Sequence, residues 1–323
     1  MHKETICLLG GTGFVGQHLV NTLTQQGYQV RVLTRRRERH RALIANPAVT
    51  LIETDIRNVD QLRQQFTGVD VVINLIGILN ERGNKGAGFR QVHVELPEKI
   101  VAAMLSSGVS RLLHMSALNA DASEQHSLYL KTKGEGENLV HAAAEKGLLV
   151  TSFQPSLIFG MGDSFFNRFA TLLKLSRPVF PLACPESRFA PVWVGDVTQA
   201  MCRALDCATG GERLAFCGPQ EFTLRELVGY TRDQLGLQCT ITGLNDSLSR
   251  LQARMLGFMP GKPFSLDNYY SLQKDSTCTD NALPTLGITP TPIAAVVPAY
   301  LAGRNARGQY DGFRRQSRRQ TSN

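Results

Sequence analysis

The chain has 323 residues, 42% of them hydrophobic and 19% charged, an ordinary globular balance that excludes a mostly disordered protein. Its formal charge of +8 is uneven: arginines 304, 307, 314, 315, 318 and 319 against Asp311 give the segment from Leu301 onward +5 and leave the body at +3. No apolar run approaches the roughly 18–20 residues of a membrane span, and Pro298 interrupts the candidate Ile293–Ala302.

The first strand-like run starts almost at Met1, leaving no room for a secretory leader and predicting a cytoplasmic chain. Up to residue 155, Thr5–Leu9, Gln29–Leu33, Val49–Glu53, Asp70–Ile76, Arg111–Met115 and Leu149–Phe153 read as strands. Between them Val15, Leu19 and Leu23 share a helical face that Gly27 terminates, as do Leu96, Ile100, Val101 and Leu105 before Gly108. This alternation predicts an α/β fold with a parallel sheet covered on both faces.

In the first unit, LLGGTGFVGQHL places Gly10, Gly13 and Gly16 between a strand and a helix. Gly10 permits the tight exit, Gly13 lets backbone amides approach a pyrophosphate, and Gly16 allows close helix–sheet packing. The phosphates are expected at the helix N-terminus, with Thr12, Phe14 and Val15 beside them. At the end of the second strand, Thr34-Arg35-Arg36-Arg37 offers no acid before Glu38. Arg35, with Arg36 or Arg37, suits a 2′-phosphate, so the reading is NADP(H) over NAD(H). Asp55, followed by Ile56, is placed for an adenine amino group, and NLIG, with Leu75 and Gly77, ends the fourth strand beside the cofactor.

Ser116 ends the fifth strand, and Tyr129 and Lys133, four residues apart, share one face of the next helix. An ammonium beside a phenol favours the phenolate and can hold a nicotinamide ribose, while a strand-end serine can orient a carbonyl. The reading is a candidate redox constellation of Ser116, Tyr129 and Lys133.

Beyond residue 155 Pro and Gly punctuation loosens the pattern into a smaller lobe. Thr223-Leu-Arg-Glu226 reads as a capping box, and Thr291-Pro292 as a cap and first-turn proline. Phe165, Phe166, Phe169, Leu172 and Leu173 form either an apolar substrate wall or lobe packing, and Tyr269, Tyr270 and Lys274 either cap the cleft or pack the lobe. The seven cysteines contain no C-x-x-C pair, which predicts free thiols and no metal site.

Taken together, GGTGFVG, Asp55, NLIG, HMSALNAD, YLKTK, QPSLIFGMGD and RFAPVWVGDV resemble the extended branch of the short-chain dehydrogenase/reductase superfamily, through about residue 205. The resemblance implies a doubly wound Rossmann domain over residues 1–155, a C-terminal substrate lobe over 156–302 with segments returning to it, and a basic tail over 303–323. It also implies that QPSLIFG, with Pro155 and Ile158, lines the nicotinamide end, and that Asp196 starts a returning helix. His93 stands where active relatives often carry Asn, and Leu9 where many have Thr. HMSALNAD, FMPGKPFSLDNYYSLQKDSTC and LGITPTPIAAVVPAYL are similar to bacterial relatives of the nucleotide-binding accessory subunit of respiratory complex I, a family that binds NADPH and includes members tied to ubiquinone synthesis.

Three functions follow as expectations. The first is an NADP(H)-binding oxidoreductase acting on a quinone-related or other apolar small molecule. The second is a non-catalytic nucleotide-binding subunit or assembly factor, and the third a sugar-nucleotide epimerase or dehydratase. The basic tail is either a solubilising end or a docking element for an anionic membrane or an acidic protein partner, at the periphery of the inner membrane; no aromatic-basic stripe points to nucleic acid.

Overall fold

The apolar runs fold as β1 (Thr5–Leu9), β2 (Gln29–Thr34), β3 (Val49–Glu53), β4 (Val71–Asn74), β5 (Arg111–Met115) and β6 (Leu149–Pro155). The computed structural model describes residues 4–81, 83, 85–176, 178–206, 210–259 and 262–301; the basic tail at 303–323 lies outside them. A short strand, Arg213–Phe216, pairs with β6 and completes a seven-stranded parallel sheet in which β4 and β2 flank β1. The strand order reverses at β1 and β4, the point where a doubly wound sheet opens a crevice at its carboxyl edge.

Both sheet faces are buried. One packs Ile6, Leu8, Val32, Ile73 and Leu113 under the helices Phe14–Gln25 and Val194–Asp206. The other packs Cys7, Leu9, Val72 and Leu112 under Leu96–Ser107 and Leu128–Ala142. The Val194–Asp206 helix is the expected return. Its Asp196 accepts the Thr291 amide at 2.7 Å and the Thr291 hydroxyl at 3.0 Å, so Thr291 serves this bridge. The capping box at Thr223 forms as read.

The lobe has its own apolar clusters. Phe166 and Leu173 are fully buried, and Phe165, Phe169 and Leu172 pack against them, so this set is lobe core and not an open wall. Tyr269 donates to Asp246, Tyr270 stacks on His126 with ring centroids 5.5 Å apart, and Lys274 pairs with Glu124. These side chains pack the lobe and tie it to the large domain.

Several expectations need correction. Cys217 and Cys278 form a disulfide, while Cys7, Cys184, Cys202 and Cys239 are free and buried. The bridge joins the end of the edge strand to a segment 61 residues later, a proximity that spacing along the chain does not reveal. Leu105 is exposed, because Ile100, Val101 and Met104 complete the buried stripe without it. Gln154 and Pro155 extend β6 and do not follow it.

Candidate active site

At the crevice the glycine loop turns tightly against β4. Gly10 has φ +84°, and a Cβ there would stand 3.1 Å from the Leu75 backbone carbon. Gly16 is more constrained: its Cβ would stand 2.2 Å from the Gly10 oxygen and 2.5 Å from the Gly11 Cα. Gly13, by contrast, faces open space apart from the Gly10 oxygen at 3.3 Å. It is the N-cap of the Phe14–Gln25 helix, and no side chain caps that end. The first turn therefore presents amides without intrahelical acceptors and carries no acid. Such a helix end suits an anion, and its tightest wall is built where only glycine fits.

Around this loop, Thr12, Phe14 and Val15 are half-buried, and Arg35 and Arg36 are exposed without side-chain partners among the described residues. One acid does stand nearby: Glu53, in register with Thr34, accepts the Arg37 amide at 2.9 Å. The loop is therefore not acid-free as its own sequence implies, because Glu53 arrives from the adjacent parallel strand. The Asp55 carboxylate is held by the Arg57 guanidinium at 2.9 and 3.1 Å, which keeps it below the usual carboxylate range. Ile56 packs on the core beside it.

On the far side of the crevice the candidate redox groups lie among their own partners. Ser116 is buried and donates to Glu137 at 2.8 Å. Glu137, fully buried, is held by Gln154 as well, at 3.0 Å to each oxygen. Lys133 donates to the Met115 carbonyl at 2.9 Å and lies 3.1 Å from where a Gly77 Cβ would be, so Gly77 keeps that space clear. Burial pulls the ammonium down to about 8, against the pull of Glu137. Tyr129 sits edge-on to His93 and Phe89, with centroids 5.6 and 6.1 Å away. Burial, then the Asp267 carboxylate, pushes its phenol up to about 12. The expected lowering of the phenol is not what this arrangement produces. Pro155 is buried at the end of β6 and Ile158 half-buried beside Val192.

Three more residues shape this half; Glu137 and Asp267 were not singled out from sequence, and Asn74 was read only as the start of NLIG. Glu137 anchors Ser116. Asp267, from the lobe, caps the tyrosine helix by accepting the Leu128 amide at 2.5 Å and the Tyr129 amide at 3.3 Å. Asn74, at the end of β4, bonds His114 at 3.2 Å and the Ile76 amide at 3.1 Å. The spacing Ser127-Leu-Tyr-Leu130 signals a helix start, but nothing local names a capping carboxylate 140 residues away. His93, in a π-type turn over Gln91–Glu95, accepts the Ile78 amide at 3.1 Å and bonds Thr132 at 3.0 Å.

A separate cavity of about 620 Å³ opens beside β5, β6 and the edge strand, lined by Asn119, Gln154, Arg213 and the segment around Cys278. It lies away from the glycine loop. No helix among the described residues is long and apolar enough to cross a membrane.

Comparison with known proteins converges on this domain. Residues 6–215 match the NAD dependent epimerase/dehydratase family. The mitochondrial NADH dehydrogenase [ubiquinone] 1 alpha subcomplex subunit 9 of Mus musculus is 30% identical over 296 residues, covering 88% of this chain and 76% of that protein. A ceramide reductase of Caulobacter vibrioides is 30% identical over 233 residues, covering 72% and 66%. Among solved structures, dTDP-glucose 4,6-dehydratase from Streptomyces venezuelae with NAD and TYD bound superposes with a TM-score of 0.75 at 20% identity, covering 94% of this chain and 98% of that one.

Proposed function

The chain belongs to the NAD dependent epimerase/dehydratase family, and from that premise we propose that it holds NADP(H) as a fixed part of its structure and serves a respiratory-type protein assembly without turning the nucleotide over. The observation that carries this reading is the contrast within one crevice. The cradle's helix end has no side-chain cap, while Ser116 is bonded to Glu137 and Lys133 to the Met115 carbonyl. Identity of 30% to a subunit of NADH dehydrogenase supports the assembly role.

The residues present fit a dinucleotide. The amides of Phe14 and Val15, with Thr12, would hold the pyrophosphate over Gly10 and Gly16, while the Gly13 amide closes the turn on the Gly10 carbonyl at 3.0 Å. Arg35 and Arg36 would hold the 2′-phosphate, and their two charges exceed the one carboxylate of Glu53, itself engaged by Arg37. Asp55 and Ile56 would border the adenine, and Leu75 and Gly77 the central ribose. Lys133 would hold the nicotinamide ribose, and Pro155 and Ile158 would line the ring's far side. When bound, the nicotinamide supplies hydride chemistry. The protein's own groups bind and orient it, and a phenol at about 12 holds its proton at neutral pH.

A second reading, an oxidoreductase on an apolar carbonyl or hydroxyl compound, is favoured by the intact Tyr129 and Lys133 pair and by the ceramide reductase relative. The two separate on the purified protein: nucleotide released by denaturation is identified, and its exchange with added NADP(H) is timed. The assembly reading expects NADP(H) near one per chain and exchange over hours. Fast exchange, or NAD(H) in its place, overturns it.

A further inference from the structure

The Asp246–Gly257 helix is amphipathic in the reverse sense. Its inner face is small, with Ser249 and Ala253 buried in the cluster that holds Cys184 and Tyr269. Its outer face carries Leu248, Leu251 and Met255, 48%, 51% and 65% exposed, and continues through Phe258 and Met259 at 84% and 51%. These positions recur at three- and four-residue intervals and form one stripe on a helix. The stripe is held outward, because Asn245 caps the helix at Leu248 and Gln252 donates to the Pro181 carbonyl at 3.1 Å. A row of large apolar side chains in water is an interaction surface by default.

Charge and size select the occupant. Arg250 and Arg254, both exposed, border the stripe, and the helix's acid, Asp246, accepts the Tyr269 hydroxyl at the opposite end. Two copies packed through this face would bring four arginines together against one aspartate per helix, Asp246, already engaged by Tyr269. Five side chains are also far short of the roughly 20–30 residues per partner of a stable protein interface. A bilayer needs no such area: an interfacial helix sinks its apolar face about 5–10 Å while its cations meet lipid phosphates. The same chain ends in six arginines against one aspartate. We infer that the Asp246–Gly257 helix, with Phe258 and Met259, docks the protein on a membrane surface rich in anionic phospholipid.

The inference deepens the assembly reading by giving the chain a membrane-facing side, and nucleotide content tests that reading separately. The experiment is co-sedimentation of the full chain with phosphatidylcholine vesicles, with and without phosphatidylglycerol. Wild type should bind the phosphatidylglycerol vesicles, and Met255→Ser/Phe258→Ser should bind them at least tenfold more weakly with an unchanged melting midpoint and nucleotide content. Arg250→Glu/Arg254→Glu should weaken binding in the same direction, and Phe258→Trp emission should move to the blue only when phosphatidylglycerol vesicles are added. Binding by the serine variant equal to wild type, an unmoved Trp emission, or a wild-type dimer that the serine variant dissociates would each overturn it. Vesicle binding lost on these substitutions in a protein that carries no NADP(H) would leave this inference standing and remove the assembly reading.

Discussion

The two sides of the crevice handle their polar groups in opposite ways. At the glycine loop, the helix beginning at Phe14 has no side-chain cap, and the Arg35 and Arg36 side chains extend without partners among the described residues. Across from it, Ser116, Lys133 and His93 each have an internal partner, and Asp267 caps the tyrosine helix from the lobe. An open set of donors is preorganised for a ligand, because binding replaces only water. Ser116 is held by its own partner, and a reacting group would have to displace the Ser116–Glu137 bond already made. The same fold can therefore bind a nucleotide firmly and leave it unreacted.

The largest way to break this contrast is at Gly16. Gly16→Val places a side chain within 2.2 Å of the Gly10 oxygen, so the loop must move. The variant should lose several kcal/mol of stability, of the size seen for overpacked cores and strained backbone, and at least 100-fold in nucleotide affinity, read by thermal melting and calorimetric titration.

Acid strikes the closed side. Burial, with Lys133 as the next cause, lowers His93 to about 2 and His114 to about 3. Both histidines are neutral in the folded protein, while the unfolded chain takes up protons below about 6.5. Stability that is complete above that pH is thus lost as pH falls, by roughly 2 kcal/mol for each histidine at pH 5. Denaturant midpoints at pH 7.5 and 5 should show this fall, and His93→Asn should shrink it; a midpoint indifferent to pH would contradict the closed geometry.

On the open side, Arg35→Asp removes a charge-assisted contact and adds repulsion. NADPH affinity should drop about 10- to 100-fold, or 1.4–2.7 kcal/mol, with NADH little changed. Equal losses for both nucleotides would move the 2′-phosphate site elsewhere. The smallest effect is expected at Tyr129→Phe, which removes a hydroxyl without a cavity: nucleotide affinity should stay within threefold, and stability within about 1 kcal/mol.

Much of the nucleotide half was legible because its signals are local. β1, β3 and β5 fall where apolar β-type runs place them, and Gly10, Gly13 and Gly16 stand in the turn their spacing predicts. What escaped is contact between distant parts of the chain. Glu53 reaches the arginine loop across a strand pairing, Asp267 reaches the tyrosine helix from the lobe, and Cys217 meets Cys278 over 61 residues. The edge strand Arg213–Phe216 escaped for another reason: four residues, only Phe216 fully buried, make too short an apolar run to stand out. For Ser116 and Tyr129, the chain specified position on the fold but not the neighbours that set their chemistry.

Whether the nicotinamide proposed for this crevice reacts can be measured directly. The direct measurement follows the absorbance of NADPH held by the wild-type protein while apolar ketones and quinones are added in excess, beside the same experiment on Tyr129→Phe. A structural nucleotide should show no repeated oxidation in either protein and be retained in the same amount in both. Many turnovers in wild type, abolished in Tyr129→Phe, would contradict it.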